Sequence, residues 1–222
     1  ILRTILDSIK PVNTEAILLL VSNPVDILTY IALDLSGFDP HRVIGSGTVL
    51  DTARLKFLVG RMLQVDSRNV HTFIIGEHGD SELPVWSSAN VSGIDLYGFC
   101  KISGVPDYQN QLDRMFMEVR TSAYKIIENK GATYYAIAEA VLRIVDSIVR
   151  DQDSILPVST LVEGHYGLSD ICLGVPSVIG ADGVKNVLDI PLSQAEYADL
   201  HTSAKALKKA LGGLSEDVMA PV

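Results

Sequence analysis

The chain has 222 residues, 47% hydrophobic and 20% charged, a balance ordinary for a globular protein. Its formal net charge of −9 disfavours nucleic acid as a partner, although a few placed cations can still build a local site for a small anion. Two cysteines, Cys100 and Cys172, sit in no ligand or redox spacing. No disulfide framework and no metal are therefore expected, and a reducing, cytoplasmic compartment fits. The longest apolar run, Ala16 to Val21, is too short for a membrane span, and no leader pattern opens the chain.

Ile1, Leu2, Ile5, Leu6 and Ile9 recur at helical spacing from the first position. Such an opening, inside an amphipathic helix with no cap before it, reads as a chain whose front end is missing. Pro11 should end that helix. Ala16-Ile-Leu-Leu-Leu-Val21 then predicts a strand buried on both faces of a parallel sheet. Pro24 suits the first position of a helix that runs to about Ser36 and stops at Gly37. A short strand over Arg42 to Gly45 completes a helix–strand–helix–strand rhythm, the second half of a doubly wound, Rossmann-like α/β sheet. No glycine-rich phosphate loop is present to complete it.

After Gly47 the character changes. Thr48 to Leu63 predicts an amphipathic helix, Val70 to Ile75 a strand, and Val85 to Val91 another. Two long helices, 107–129 and 133–150, are separated at Gly131. Ser154 to Glu163 and Asp170 to Ile179 read as paired strands around His165-Tyr166-Gly167, with a third from Val184 to Ile190. Ser193 and Glu196 form a capping box for a last helix to Leu211. Helices laid on antiparallel strands describe an α+β unit. The expected organisation is residues 1–46 as a remnant of a dinucleotide-binding domain and 47–222 as an α+β substrate or catalytic domain.

Three segments carry chemistry. His78 sits in a glycine-flanked turn after an apolar strand, and imidazole is the side chain suited to proton exchange near neutrality. Asp51 and Arg54 share a helix face. The aspartate could orient an imidazole, and the arginine could hold a carboxylate through its planar fork. Thr48 with Asp51 would equally fit a capping box, and Arg54 a solvated surface. Asn23 sits at the carboxyl end of a sheet strand, where open α/β sheets bind ligands, yet it would serve as an ordinary helix N-cap. His41 and His201 read as surface histidines.

Together, Val21-Ser-Asn-Pro-Val-Asp-Ile-Leu-Thr29, Val43-Ile-Gly-Ser-Gly-Thr-Val-Leu-Asp-Thr-Ala-Arg54, Ile75-Gly-Glu-His-Gly-Asp-Ser-Glu-Leu-Pro-Val-Trp-Ser87 and Lys130-Gly-Ala-Thr133 resemble the lactate/malate dehydrogenase family over essentially the whole chain. The resemblance implies NAD-dependent hydride transfer to C2 of a 2-oxo acid. His78 would exchange the proton, Asp51 would orient it, and Arg54 would clamp the substrate carboxylate. Asn23 would bond near the reacting oxygen, with a cis bond to Pro24, and Thr133 would line the substrate pocket. Val21, Asn23 and Ser46 would approach the cofactor. The family's phosphate loop and mobile specificity loop have no matching positions, so turnover by these residues alone is expected to be negligible. Glu77, where malate enzymes commonly have glycine, looks like the L-lactate branch, which reduces pyruvate.

Lys56 and His71 match the positions at which bacterial members bind fructose 1,6-bisphosphate between subunits. The resemblance thus implies an allosteric homotetramer, while a surface lysine and a half-buried histidine explain the same residues without an effector. Two other enzyme readings remain open: a malate or other 2-hydroxy-acid dehydrogenase, and an NAD-dependent glycosidase, whose metal constellation is not apparent. The non-enzyme alternative is an inactive oligomeric scaffold.

Overall fold

The computed structural model describes the backbone of residues 1–13, 15–130 and 135–213, and the side chains of these except 123–130. The opening helix α1 (Leu2–Ile9) packs its apolar face on α2 (Val25–Ser36), burying Leu6 against Ala32 and Phe38. Between them lies β1 (Leu18–Leu20), and after α2 comes β2 (Val43–Gly45). These two strands pair in parallel, Leu18 opposite Val43 and Leu20 opposite Gly45, with α2 as the crossover. This is the α/β half expected from the sequence. One detail differs: β1 is the edge strand, so its three leucines are only partly buried rather than covered on both faces. Helix α2 ends as expected at Gly37, which takes the left-handed φ of 66° that a side chain resists.

The 15-residue helix α3 (Val49–Leu63) follows and buries Leu55, Val59 and Leu63. The strand expected over Val70 to Ile75 is split into β3 (Val70–His71) and β4 (Ile74–Ile75). The strand expected over Val85 to Val91 is likewise replaced by β5 (Leu83–Pro84) and β6 (Asn90–Val91), because each half pairs with a different neighbour. A tight turn leads to β7 (Ile94–Asp95) and the short helix α4 (Leu96–Ile102), which the hydrophobic pattern had not separated. Helices α5 (Tyr108–Lys130) and α6 (Tyr135–Val149) stand where the two long helices were expected, and Gly131 between them lies outside the described residues.

The long hairpin β8 (Ser154–Glu163) and β9 (Ser169–Gly180) is continued by β10 (Gly183–Val187), which ends three residues earlier than expected. Strand β8 joins β2 through the pair Gly45 and Ser159, giving one mixed sheet in the order β1-β2-β8-β9-β10. The last helix, α7 (Gln194–Gly212), starts on the expected capping box. Its core residues Leu200, Ala204 and Leu207 seal Ile75, Leu83 and Leu173. The site is built where α2, α3 and α7 converge on β4 and β9.

Candidate active site

Helix α3 is stapled to β4 by hydroxyls. Thr48 Oγ1 donates to the Ile74 carbonyl at 2.6 Å, and Thr52 Oγ1 accepts the Ile74 N–H at 2.8 Å. Thr48 is therefore committed to the strand and makes no cap bond, so the capping-box role for Thr48 and Asp51 is not the one realised. Asp51 lies between the two threonines on the helix face that meets the turn after β4.

That turn opens at Gly76, whose φ is +92° and where any Cβ would lie only 2.7 Å from the Ser203 hydroxyl oxygen. Gly76 exchanges two backbone hydrogen bonds with Gly174 of β9, at 2.8 and 2.9 Å. The next two N–H groups are held as well: Glu77 donates to Ser203 Oγ and His78 to Asp26 Oδ2, each at 2.8 Å. Three elements far apart in sequence thus fix the main chain beneath the histidine.

The His78 Nδ1 sits 2.7 Å from Asp51 Oδ2. Both side chains are largely shielded, at 21% and 5% exposure. Burial works against the imidazolium. The Asp51 contact and the charges of Asp51, Asp26 and Glu82 outweigh it, and the ring titrates at about 9. Arg54 faces the same pair, with Nη1 3.6 Å from Asp51 Oδ1. Glu82 is buried, with Oε1 unpartnered. Burial, reinforced by Asp51, pushes its carboxyl well above the ordinary range. Carboxylate oxygens of Asp51 and Glu82 and a ring nitrogen of His78 lie within 4.8 Å of one another, a grouping of metal-ligand type. The edge of His78 nearest Asp51 is, however, already committed to that carboxylate.

Val21 and Asn23 are exposed just past the carboxyl end of β1, and Ser46 follows β2 alongside, buried at 3%. This paired strand end is the position at which a nucleotide binds an open parallel sheet. The cap of α2 is Pro24 rather than Asn23, which leaves the Asn23 amide uncommitted to the helix, and the Asn23–Pro24 bond is cis. Thr133 lies outside the described residues.

Residues 48–217 match the lactate/malate dehydrogenase alpha/beta C-terminal domain, and residues 1–45 match the family's NAD-binding domain. The chain belongs to the lactate/malate dehydrogenase family. Among its relatives, L-lactate dehydrogenase 1 of Clostridium acetobutylicum is 49% identical over 214 residues, 96% of this chain and 68% of that protein. The L-lactate dehydrogenase of Acetivibrio thermocellus is also 49% identical, over 94% of this chain and 66% of its own length. The crystal structure of a minor L-lactate dehydrogenase from Enterococcus mundtii superposes with a TM-score of 0.91 at 38% identity, covering 96% of this chain and 68% of that one. The chain thus spans about two thirds of the length of these dehydrogenases.

Lys56 points to the opposite side of α3 from Arg54. There a cavity of about 290 Å³ is lined by Lys56, Arg68, His71 and Arg143. Burial, with the positive charge of Arg143 close by, lowers the Lys56 ammonium pKa, while Arg68 is paired with Asp66 at 2.9 Å. Sequence reasoning had reached Lys56 and His71 but neither arginine. It also missed Asp26, Glu82 and Ser203. Asp26 is a lone carboxylate inside the apolar stretch Val25-Asp-Ile-Leu28, a signal that was available; Glu82, in a polar turn, and Ser203, on a helix more than a hundred residues away, left none.

Proposed function

We propose that this chain carries the proton-exchange and substrate-binding half of an NAD-dependent L-lactate dehydrogenase that interconverts pyruvate and L-lactate. The observation that carries the reading is the His78–Asp51 pair with Arg54 beside it. Asp51 holds the Nδ1 edge, which leaves Nε2 to give a proton to the substrate carbonyl oxygen or to take it back from the alcohol. An imidazole titrating at about 9 is protonated at neutral pH, the state that reduction of a 2-oxo acid requires.

Arg54 binds the substrate carboxylate through its planar fork, and that binding fixes the distance from C2 to the imidazole. Asn23 steadies the reacting oxygen, and Thr133 is assigned to the substrate pocket on the family resemblance alone. Val21, Asn23 and Ser46 are the residues of this chain that would meet NAD, which when bound supplies or accepts the hydride at C2. The exposed end of β1, with the end of β2 beside it, suits such a ligand. We place the boundary between the cofactor and catalytic units at residues 46 and 47, between the two matched domains.

The test is NADH oxidation with pyruvate by the full-length protein. His78→Ala should lose at least about a hundredfold in turnover. Undiminished turnover in that variant, or a clear preference for oxaloacetate, would refute the assignment.

The basic cavity supports a second element of the proposal. Lys56 and His71, joined by Arg68 and Arg143, suit a doubly phosphorylated sugar such as fructose 1,6-bisphosphate, bound where subunits of a homotetramer meet. Sedimentation that does not respond to the bisphosphate would sink this element alone. A cytoplasmic location agrees with two buried free cysteines, and no helix among the described residues is long and apolar enough to cross a membrane.

A further inference from the structure

The first turn of α2 holds a carboxylate whose burial is costly. Asp26 is 2% exposed; its Oδ2 accepts the His78 N–H at 2.8 Å, while Oδ1 has no hydrogen-bond partner. The Ser159 hydroxyl lies beside it and favours the ionised form, although the pair falls outside hydrogen-bonding geometry. Burial prevails over these contacts and raises the carboxyl to about 6, so at neutral pH it is ionised at a standing energetic cost.

A neutral asparagine would serve the fold at least as well. Its carbonyl would accept the same N–H, and its amide could donate to the Ser159 hydroxyl. What aspartate alone supplies is charge, and the His78 ring feels that charge.

We propose that Asp26 is a positioning residue for proton exchange: it fixes the His78 main chain and adds a second negative charge, behind that of Asp51, to stabilise the imidazolium. The inference rests on the reading of His78 as the proton exchanger. The other charged groups around this pair are Asp51 and Arg54 from α3, Glu77 and Glu82 from the turn itself, and Arg120 from α5. Among them Asp26 alone joins charge to a main-chain bond with His78. Because α2 starts just past Asn23, the same carboxylate also ties the Asn23 segment to the histidine turn.

The experiment is Asp26→Asn in the full-length protein, with His78 titrated by NMR on carbon-labelled imidazole and pyruvate reduction followed against pH. The His78 midpoint should fall by about one pH unit, and the alkaline limb of kcat/KM should move down with it. Thermal stability near neutrality should be unchanged or higher. A midpoint and limb that stay at their wild-type positions overturn the proposal. A shifted midpoint with no pyruvate turnover in either protein upholds the Asp26 coupling and sinks the dehydrogenase reading instead. If Asp26→Asn does not fold, the wild-type titration decides. A second, smaller step in the His78 resonance near pH 6, where Asp26 takes up its proton, supports the coupling, and a single-step curve refutes it.

Discussion

Replacing Asp51 with asparagine keeps the shape of the side chain beside His78 and removes its charge. A histidine held at about 9 rather than at its ordinary 6.5 carries about 3 kcal/mol in favour of the imidazolium. Burial opposes that form, and the Asp51 contact is the largest influence that favours it. Without it the midpoint should fall to about 6.5 or lower. At about pH 7.5 the protonated fraction would then drop from nearly all to about a tenth, so protonation alone costs roughly tenfold in pyruvate reduction. Loss of ring orientation adds to this, and the total should reach on the order of 10² to 10⁴ in kcat/KM. The assay is steady-state NADH oxidation with pyruvate across neutral and alkaline pH. The alkaline limb should move from about 9 to below 7. A limb that keeps its position in Asp51→Asn would refute the claim that this carboxylate sets the histidine's charge.

Stability should follow the same proton. Because the folded-state pKa of His78 lies above 6.5, the stabilisation is fully present below 6.5 and is lost as pH rises through about 9. Thermal melts should therefore decline over that window, and His78→Gln should flatten this part of the decline. Glu82 has the opposite sign. Its carboxyl is raised from 4.5 to about 8, so a penalty grows as pH rises between those values and is complete above them. Glu82→Gln should melt higher than wild type in mildly alkaline buffer, with the gap closing toward acid. Arg54→Lys keeps the charge and loses the fork, and should raise KM for pyruvate by about 10²-fold with a smaller change in kcat, read by steady-state kinetics. On α7, Ser193 caps the helix through the Glu196 N–H, while Glu196 accepts the Trp86 and Ser87 N–H groups at 2.8 and 2.9 Å. Ser193→Ala should cost about 1 kcal/mol in denaturant unfolding, and Glu196→Ala should cost more, since it leaves two further donors unpaired.

Much of the architecture was determined locally. The caps at Gly37 and Ser193, the turn at His165-Tyr166-Gly167 that joins β8 to β9 and the helical period of α3 each depend on neighbours a few residues away. Residue types made His78, Asp51 and Arg54 candidates, the family resemblance gave them roles, and the structure brings their side chains together. The short strands from 70 to 95 were less legible, because a run of apolar residues does not say which neighbour each part will pair with.

Only the tertiary structure decided how the histidine is held. Its main chain is fastened by Asp26, 52 residues earlier, and the preceding N–H by Ser203, 126 residues later. Glu82 lies only four positions from His78, yet its shifted titration depends on burial, which the folded chain imposes and the residue order does not reveal. Hydrogen bonds over such separations leave no periodic trace in a sequence, and the energy of a buried charge depends on everything packed around it.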